Sequence, residues 1–259
     1  MSVKIHKFAF QHIPVHLSVF QIVNYLLILV LLVLFIRYLW IVFAGAETEP
    51  AQWQFAMKNG HISSTLKRLK RGYPDKVRFF NWWFQVERIN RERVPGVFAE
   101  LGVYKGDSAR VLHHLDPNRP FHLFDTFSGF TSRDLGMETG EAATYTPDNF
   151  ADTSVGTVLN KIGGNHHIII HQGYFPETAR DFREQVAFVN MDADLYNPTK
   201  AGLEFFYPLL SPGGVIMVHD YNHKWPGIIK AVDDFMRTIP ENLVLLPDIS
   251  GTVMIIRNK

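Results

Sequence analysis

The sequence predicts an α/β protein: a seven-stranded, mostly parallel sheet with helices on both faces, preceded by an N-terminal membrane-anchor helix. Three observations carry that expectation. Residues 97–259 alternate apolar, strand-like runs with helical patterns, the rhythm of a parallel sheet covered on both sides. Two of those runs, V-A-F-V-N-M-D-A-D at 186–194 and G-G-V-I-M-V-H-D at 213–220, end in acidic or imidazole side chains. Ligands of open α/β sheets bind at the carboxyl ends of strands, so Asp192, Asp194, His219 and Asp220 are expected to share one crevice. Finally, residues 17–36 contain no charge and are long enough to cross a bilayer core of roughly 30 Å.

Taken in chain order, residues 1–46 form an N-terminal segment with the hydrophobic anchor, whose apolar character resumes after Arg37 at 38–43. A cleaved signal peptide is the competing reading, with Ala44-Gly45-Ala46 as a small-residue cleavage site, but the apolar run is longer than a signal core. An uncleaved single anchor is therefore expected, with the domain that follows it expected to face the cytoplasm. Lys4 and Lys7 precede the run and a basic stretch from Lys67 to Arg78 follows it, so charge asymmetry does not orient it. That basic stretch reads either as a solvated helix face or as a contact for anionic headgroups.

Residues 47–95 read as a basic, aromatic, helical adaptor, closed by Pro95-Gly96. Residues 96–259 form the main domain. Its strands are expected near 97–101, 121–125, 167–171, 186–192 and 214–219, with a late pair near 243–247 and 252–257. Its helices are expected near 108–115, 154–162, 178–184, 199–210 and 226–238. The long irregular stretch 126–152 is a lid or substrate loop.

Composition narrows the function. A net charge of +1 gives no reason to expect nucleic acid. The chain has no cysteine, which excludes disulfides, thiolate catalysis and Cys-based zinc sites. After the first strand comes E-L-G-V-Y-K-G-D-S (100–108). Gly102 and Gly106 permit a tight turn, and Asp107-Ser108 open a helix. Tyr104 occupies the middle glycine position of the dinucleotide fingerprint, which disfavours a nicotinamide enzyme. Asp125, at the end of the second strand, can accept from both hydroxyls of a ribose. These features point to a nucleoside-bearing cofactor without naming it.

The ordered set E-L-G-V-Y-K-G-D-S, F-D-T-F-S-G-F, D-T-S-V-G-T-V, G-Y-F-P-E-T, M-D-A-D-L-Y-N-P-T and G-G-V-I-M-V-H-D-Y resembles the macrocin O-methyltransferase family across residues 97–236. The resemblance implies a Rossmann-like class I methyltransferase fold and two cofactors: S-adenosyl-L-methionine and a divalent metal, Mg expected and Mn an alternative. It implies a sugar hydroxyl as acceptor. Carried over by position, Glu100, Gly102, Tyr104, Gly106, Ser108, Asp125 and Asp192 bind the methyl donor. Asp192, His219 and Asp220 hold the metal, and Asp194 is the general base. His219 departs from the family, which usually has a second Asp there.

The combined expectation is a metal-dependent O-methyltransferase acting on a small-molecule or lipid-linked sugar at a membrane, with a homo-oligomer left open. For Asp192 and Asp194 both to face the crevice, the strand must turn at Asp192, because alternation would otherwise separate them. Two alternatives remain: a catechol-type enzyme acting on a small phenol, and a membrane-tethered binding module that has lost catalysis.

Overall fold

The computed structural model describes residues 18–44, 49–164 and 166–258. Lys4, Lys7, the Gly45-Ala46 part of the proposed cleavage site and the adaptor's first residue, Glu47, lie outside the described residues. The chain divides into two compact units, residues 1–59 and 60–259.

The first unit contains α1 (Val19–Ala44) and α2 (Ala51–Lys58). Helix α1 is apolar on every side, and its large side chains from Val19 to Val42 are exposed or nearly so. At 1.5 Å per residue, the Val19–Val42 stretch is roughly 36 Å long, enough to cross a bilayer core.

The second unit begins with two helices, α3 (Ser64–Gly72) and α4 (Lys76–Glu92). Both have capped starts. Ser63 Oγ accepts from the Leu66 N–H at 3.1 Å, and Asp75 Oδ1 accepts from the Arg78 N–H at 2.9 Å. Phe79, Trp82, Trp83, Val86 and Ile89 recur at helical spacing along α4 and are buried. The helix stops at Arg93, which is left-handed (φ 55°) ahead of Pro95-Gly96. Residues 60–95 of the expected adaptor thus pack in the same unit as the sheet, and the division falls at Asn59/Gly60 rather than at 95/96.

The sheet comprises β1 (Val97–Leu101), β2 (Phe121–Asp125), β3 (Ile168–Gln172), β4 (Val186–Met191), β5 (Leu210–Val218), β6 (Val244–Leu245) and β7 (Val253–Ile256), in the order β3-β2-β1-β4-β5-β7-β6. Strands β1 to β5 pair in parallel, and β7 runs antiparallel to both neighbours. Helices α5 (Asp107–Leu115), α7 (Val155–Ile162), α8 (Tyr196–Leu209) and α9 (Pro226–Met236) complete the crossovers, with a short α6 (Ser132–Leu135) in the long loop. Helices α8 and α9 pack on one face, while α3, α4, α5 and α7 are grouped on the other. The strand order reverses between β1 and β4, so the crevice for a ligand opens at their carboxyl ends.

Two expectations are corrected. The helix expected at 178–184 is only a 3₁₀ turn, Glu177–Ala179. Phe182 is drawn into an aromatic cluster with Phe124 and Phe206, and that burial overrides local helix propensity. Residues 211–213, left between the helix expected near 199–210 and the strand expected near 214–219, lie within β5. The β4–β5 register shifts between Val186 and Phe188, so the extra residues bulge.

Candidate active site

The hydrogen-bonded end of β4 is extended by one bond, from Asp192 N to Leu101 O at 2.8 Å. The chain then turns at once. Leu195 N donates to Ala193 O at 2.7 Å, and Asp194 adopts a left-handed conformation (φ 59°). This turn defeats strand alternation and brings Asp194 to the same side as Asp192. Asp220, just beyond β5, is also left-handed (φ 60°). Such conformations are uncommon for non-glycine residues and cost on the order of 1–3 kcal/mol each. One oxygen from each of Asp192, Asp194 and Asp220 lies within 4.8 Å of the other two.

Burial raises all three carboxyls above the usual range, and repulsion within the group adds to it for Asp194 and Asp220. Asp194 is raised well above it by burial and by the charges of Asp192 and Asp220. Asp220 is pushed up to about 7, chiefly by burial and Asp192. Asp192 is also raised by burial, opposed by the Arg78 guanidinium on α4. Three close carboxylates are fully ionised only beside compensating positive charge. The set is all oxygen, which suits a hard divalent cation such as Mg or Mn.

His219 is not brought into this group. It is buried, its Nε2 lies 2.7 Å from Asn190 Oδ1, and its Nδ1 lies 3.1 Å from Thr252 Oγ1. Both ring nitrogens are engaged inside the protein, so the expectation of His219 as a metal ligand gives way to that of a structural strut. Asn190 is the hub of the network. Its Oδ1 also accepts from Trp82 Nε1 at 3.1 Å, and its Nδ2 donates to Glu100 Oε1 at 2.7 Å. Thr252 Oγ1 donates to Asp248, whose Oδ2 receives Arg78 Nε at 3.1 Å.

A cleft of about 310 Å³ adjoins the three aspartates. Gly102, Tyr104, Ser108, Asp125, Asp192, Asp194 and Asp220 line it. Glu100 and Gly106 do not. Glu100 is wholly buried, and burial pushes it up to about 8 despite hydrogen bonds from Ser108 and Asn190. Gly102 has φ 84°, and a Cβ there would lie 1.9 Å from the Asp192 carbonyl oxygen. Its lack of a side chain therefore serves the approach of the β1 loop to the end of β4, rather than making room for a ligand. Gly106 (φ 76°) is needed for the turn, and a Cβ there would press on Val158 of α7 at 3.0 Å. Asp125 staples the same loop: Oδ2 accepts from the N–H groups of Val103 (2.6 Å) and Tyr104 (2.9 Å), and Oδ1 from that of Phe127 (2.6 Å).

Several lining residues were not singled out individually in the sequence. Tyr73 comes from the α3–α4 turn, and Phe130 and Phe150 come from the 126–152 loop. That loop is docked rather than loose. The buried Asp134 accepts from Thr131 Oγ1, Tyr174 OH and Asn197 Nδ2, and Glu138 Oε1 accepts from the Tyr196 N–H at 2.7 Å. Tyr145 stacks on Phe130 and receives the Trp225 indole N–H at 3.2 Å.

Comparison with known proteins identifies the family. The model of the macrocin-O-methyltransferase (TylF) family matches residues 74–250. The chain belongs to the macrocin O-methyltransferase family. It is 31% identical over 193 residues to the mycinamicin III 3''-O-methyltransferase of Micromonospora griseorubida, covering 69% of this chain and 74% of that one. It is 25% identical over 158 residues to the 8-demethyl-8-(2,3-dimethoxy-alpha-L-rhamnosyl)-tetracenomycin-C 4'-O-methyltransferase of Streptomyces olivaceus, covering 56% and 60%. Among solved structures, the O-methyltransferase NovP is similar, with a TM-score of 0.62 at 25% identity over 71% of this chain and 81% of NovP. This macrocin O-methyltransferase family member has the class I methyltransferase fold and is an S-adenosylmethionine-dependent O-methyltransferase. The family match begins at Pro74, so it takes in α4 and Arg78 but neither α1 nor α3.

Proposed function

We propose that this enzyme methylates a hydroxyl of a sugar, or of a glycosylated or lipid-linked acceptor, with help from a divalent metal, and that α1 holds it on a membrane. The observation that carries the proposal is the convergence of Asp192, Asp194 and Asp220 beside a cleft lined by the β1–α5 loop. The relatives' names supply the substrate class, since the tetracenomycin enzyme's name specifies a rhamnosyl group.

In this reading, the Gly102–Ser108 loop and Asp125 hold the methyl donor, with the remaining acceptor capacity of Asp125 Oδ1 turned to the ribose. Glu100 acts from beneath, holding Ser108 and Asn190 in place. Asp192 and Asp220 hold the metal, which when bound stabilises the acceptor oxygen as its proton leaves. Asp194 takes that proton. It is the third member of the group and sits on the turn after β4, with a basic oxygen facing the same space. The docked 126–152 loop excludes water from the transfer. The aromatic surface of Phe130, Tyr145 and Trp225 walls the acceptor side.

The test is transfer of labelled methyl from S-adenosylmethionine to a panel of rhamnosides, nucleotide sugars and membrane lipid extracts, with and without chelator. Labelling of sugar-bearing acceptors that is abolished by chelator and restored by Mg or Mn supports the reading. Labelling indifferent to chelator removes the metal, and labelling of simple catechols alone moves the enzyme to the phenolic branch. Extraction of the full-length protein by alkaline carbonate without detergent removes the tether.

A further inference from the structure

The N-terminal part of the second unit carries charge that the catalytic reading does not use. Helix α3 reads S-T-L-K-R-L-K-R-G and contains no acid. Leu66 and Leu69 face inward, leaving Lys67, Arg68 and Arg71 exposed. The half-buried Arg110 lies on α5, the helix that packs against α3. The acids at either end of α5 are already committed: Asp107 pairs with Lys161 at 2.6 Å and Asp116 with Arg119 at 2.8 Å. Among the described residues, no ion pair reaches Lys67, Arg68, Arg71 or Arg110. Four uncompensated cations on two neighbouring helices form a local field out of proportion to the chain's net charge of +1.

We propose that this α3–α5 basic face docks on the anionic headgroups of a lipid bilayer. Lipid is favoured over other polyanions because the same chain carries α1, and α3 starts 20 residues after α1 ends at Ala44. A basic cluster so close in sequence to an apolar span is attracted to an anionic leaflet, by about fivefold in affinity per Lys or Arg at the surface. The contact would fix how the catalytic unit rests on the membrane, and so which acceptors reach it. It rests on the tether reading only for its location, and the two fail separately.

The chain has no cysteine, so one introduced thiol reports one place. Full-length protein with Ser64→Cys is labelled with an environment-sensitive fluorophore and reconstituted into vesicles of phosphatidylcholine, with or without phosphatidylserine. Glu204→Cys, on the exposed side of α8 across the sheet, is the control. Docking predicts that phosphatidylserine shields the label at 64 from an aqueous quencher but not the label at 204. The shielding should vanish in about 0.5 M NaCl, where screening shortens the field to a few ångströms. It should also vanish in Lys67→Glu/Arg71→Glu. Equal quenching at 64 in both kinds of vesicle overturns the proposal. So does equal shielding by a nucleic acid duplex without lipid, which would make the face a general polyanion site. Release of the protein from pure phosphatidylcholine by carbonate counts against α1 alone. Salt-sensitive shielding on phosphatidylserine would then still support the face.

Discussion

Replacing Gly102 with alanine tests how the β1–α5 loop and the acidic group are joined. The added Cβ would lie 1.9 Å from the Asp192 carbonyl oxygen and 2.6 Å from its carbon. Ordinary contact needs more than 3 Å, so one backbone must retreat by over 1 Å. The retreat works against the Asp192 N to Leu101 O hydrogen bond that ties β4 to β1. A left-handed alanine at φ 84° costs about 1–2 kcal/mol, and overpacking adds about 1–3 kcal/mol. The expected loss is therefore about 2–5 kcal/mol. For a chain of this size that lowers the melting midpoint by roughly 5–15 °C. The displaced residue is also a proposed metal ligand, so Mn affinity should fall along with stability. Gly136→Ala is the control: its φ is −69° and nothing lies within 4 Å of the added Cβ, so it should stay within about 0.5 kcal/mol of the parent. Thermal unfolding by circular dichroism and Mn titration by calorimetry read both effects. A Gly102→Ala protein that melts with the parent and binds Mn normally, while losing only S-adenosylmethionine, would refute the reasoning and show that this glycine makes room for the ligand instead.

Other substitutions divide the remaining roles. Asp192→Ala and Asp220→Ala should weaken Mn binding, with activity partly recovered in excess metal. Asp194→Asn should retain S-adenosylmethionine binding but lose on the order of 10²–10⁴ in single-turnover rate; near-parental turnover would remove it as the base. His219→Leu should destabilise by about 2–4 kcal/mol, because Asn190 and Thr252 each lose a buried partner, while leaving Mn affinity within about twofold. A tenfold drop in Mn affinity in the folded variant would make His219 a ligand after all. His113 is held down to about 4, first by burial and then by His114 and His167. The unfolded chain therefore binds more protons between about pH 4 and 6.5, so stability is full above that window and falls as pH drops through it. Discounted for partial solvent access, the loss is on the order of 1–2 kcal/mol. His113→Gln should flatten that limb of a pH series of melts, and an unchanged limb would assign it to other groups.

Much of the fold was legible because burial leaves a periodic trace. The runs V-F-A-E-L, F-H-L-F-D and V-A-F-V-N-M are β1, β2 and β4, and four of the five expected helices of the main domain appear close to their expected places. The acidic group was legible for a related reason: strand ends of a parallel sheet converge, so acids after two apolar runs meet in space. The misreadings have specific causes. The 178–184 helix had local propensity on its side but lost Phe182 to an aromatic cluster assembled from β2 and α8. His219 shares its chain position with the acids, yet alternation along β5 turns it to the α4 face, where Asn190 and Thr252 hold it.

The sequence by itself determined the class of fold, the glycine-bearing β1–α5 loop, the apolar α1 and the three acids, because each is encoded in short runs of consecutive residues. Tertiary structure alone decided which neighbours those residues meet. It made Gly102 a spacer against Asp192, 90 residues away, and His219 a strut on Asn190. It brought Arg78, from a helix outside the expected domain, into the field of Asp192. It also set Tyr73 in the cleft wall. These pairings follow from strand order and helix packing, whose contacts join residues far apart in the chain and leave no period or motif in either partner.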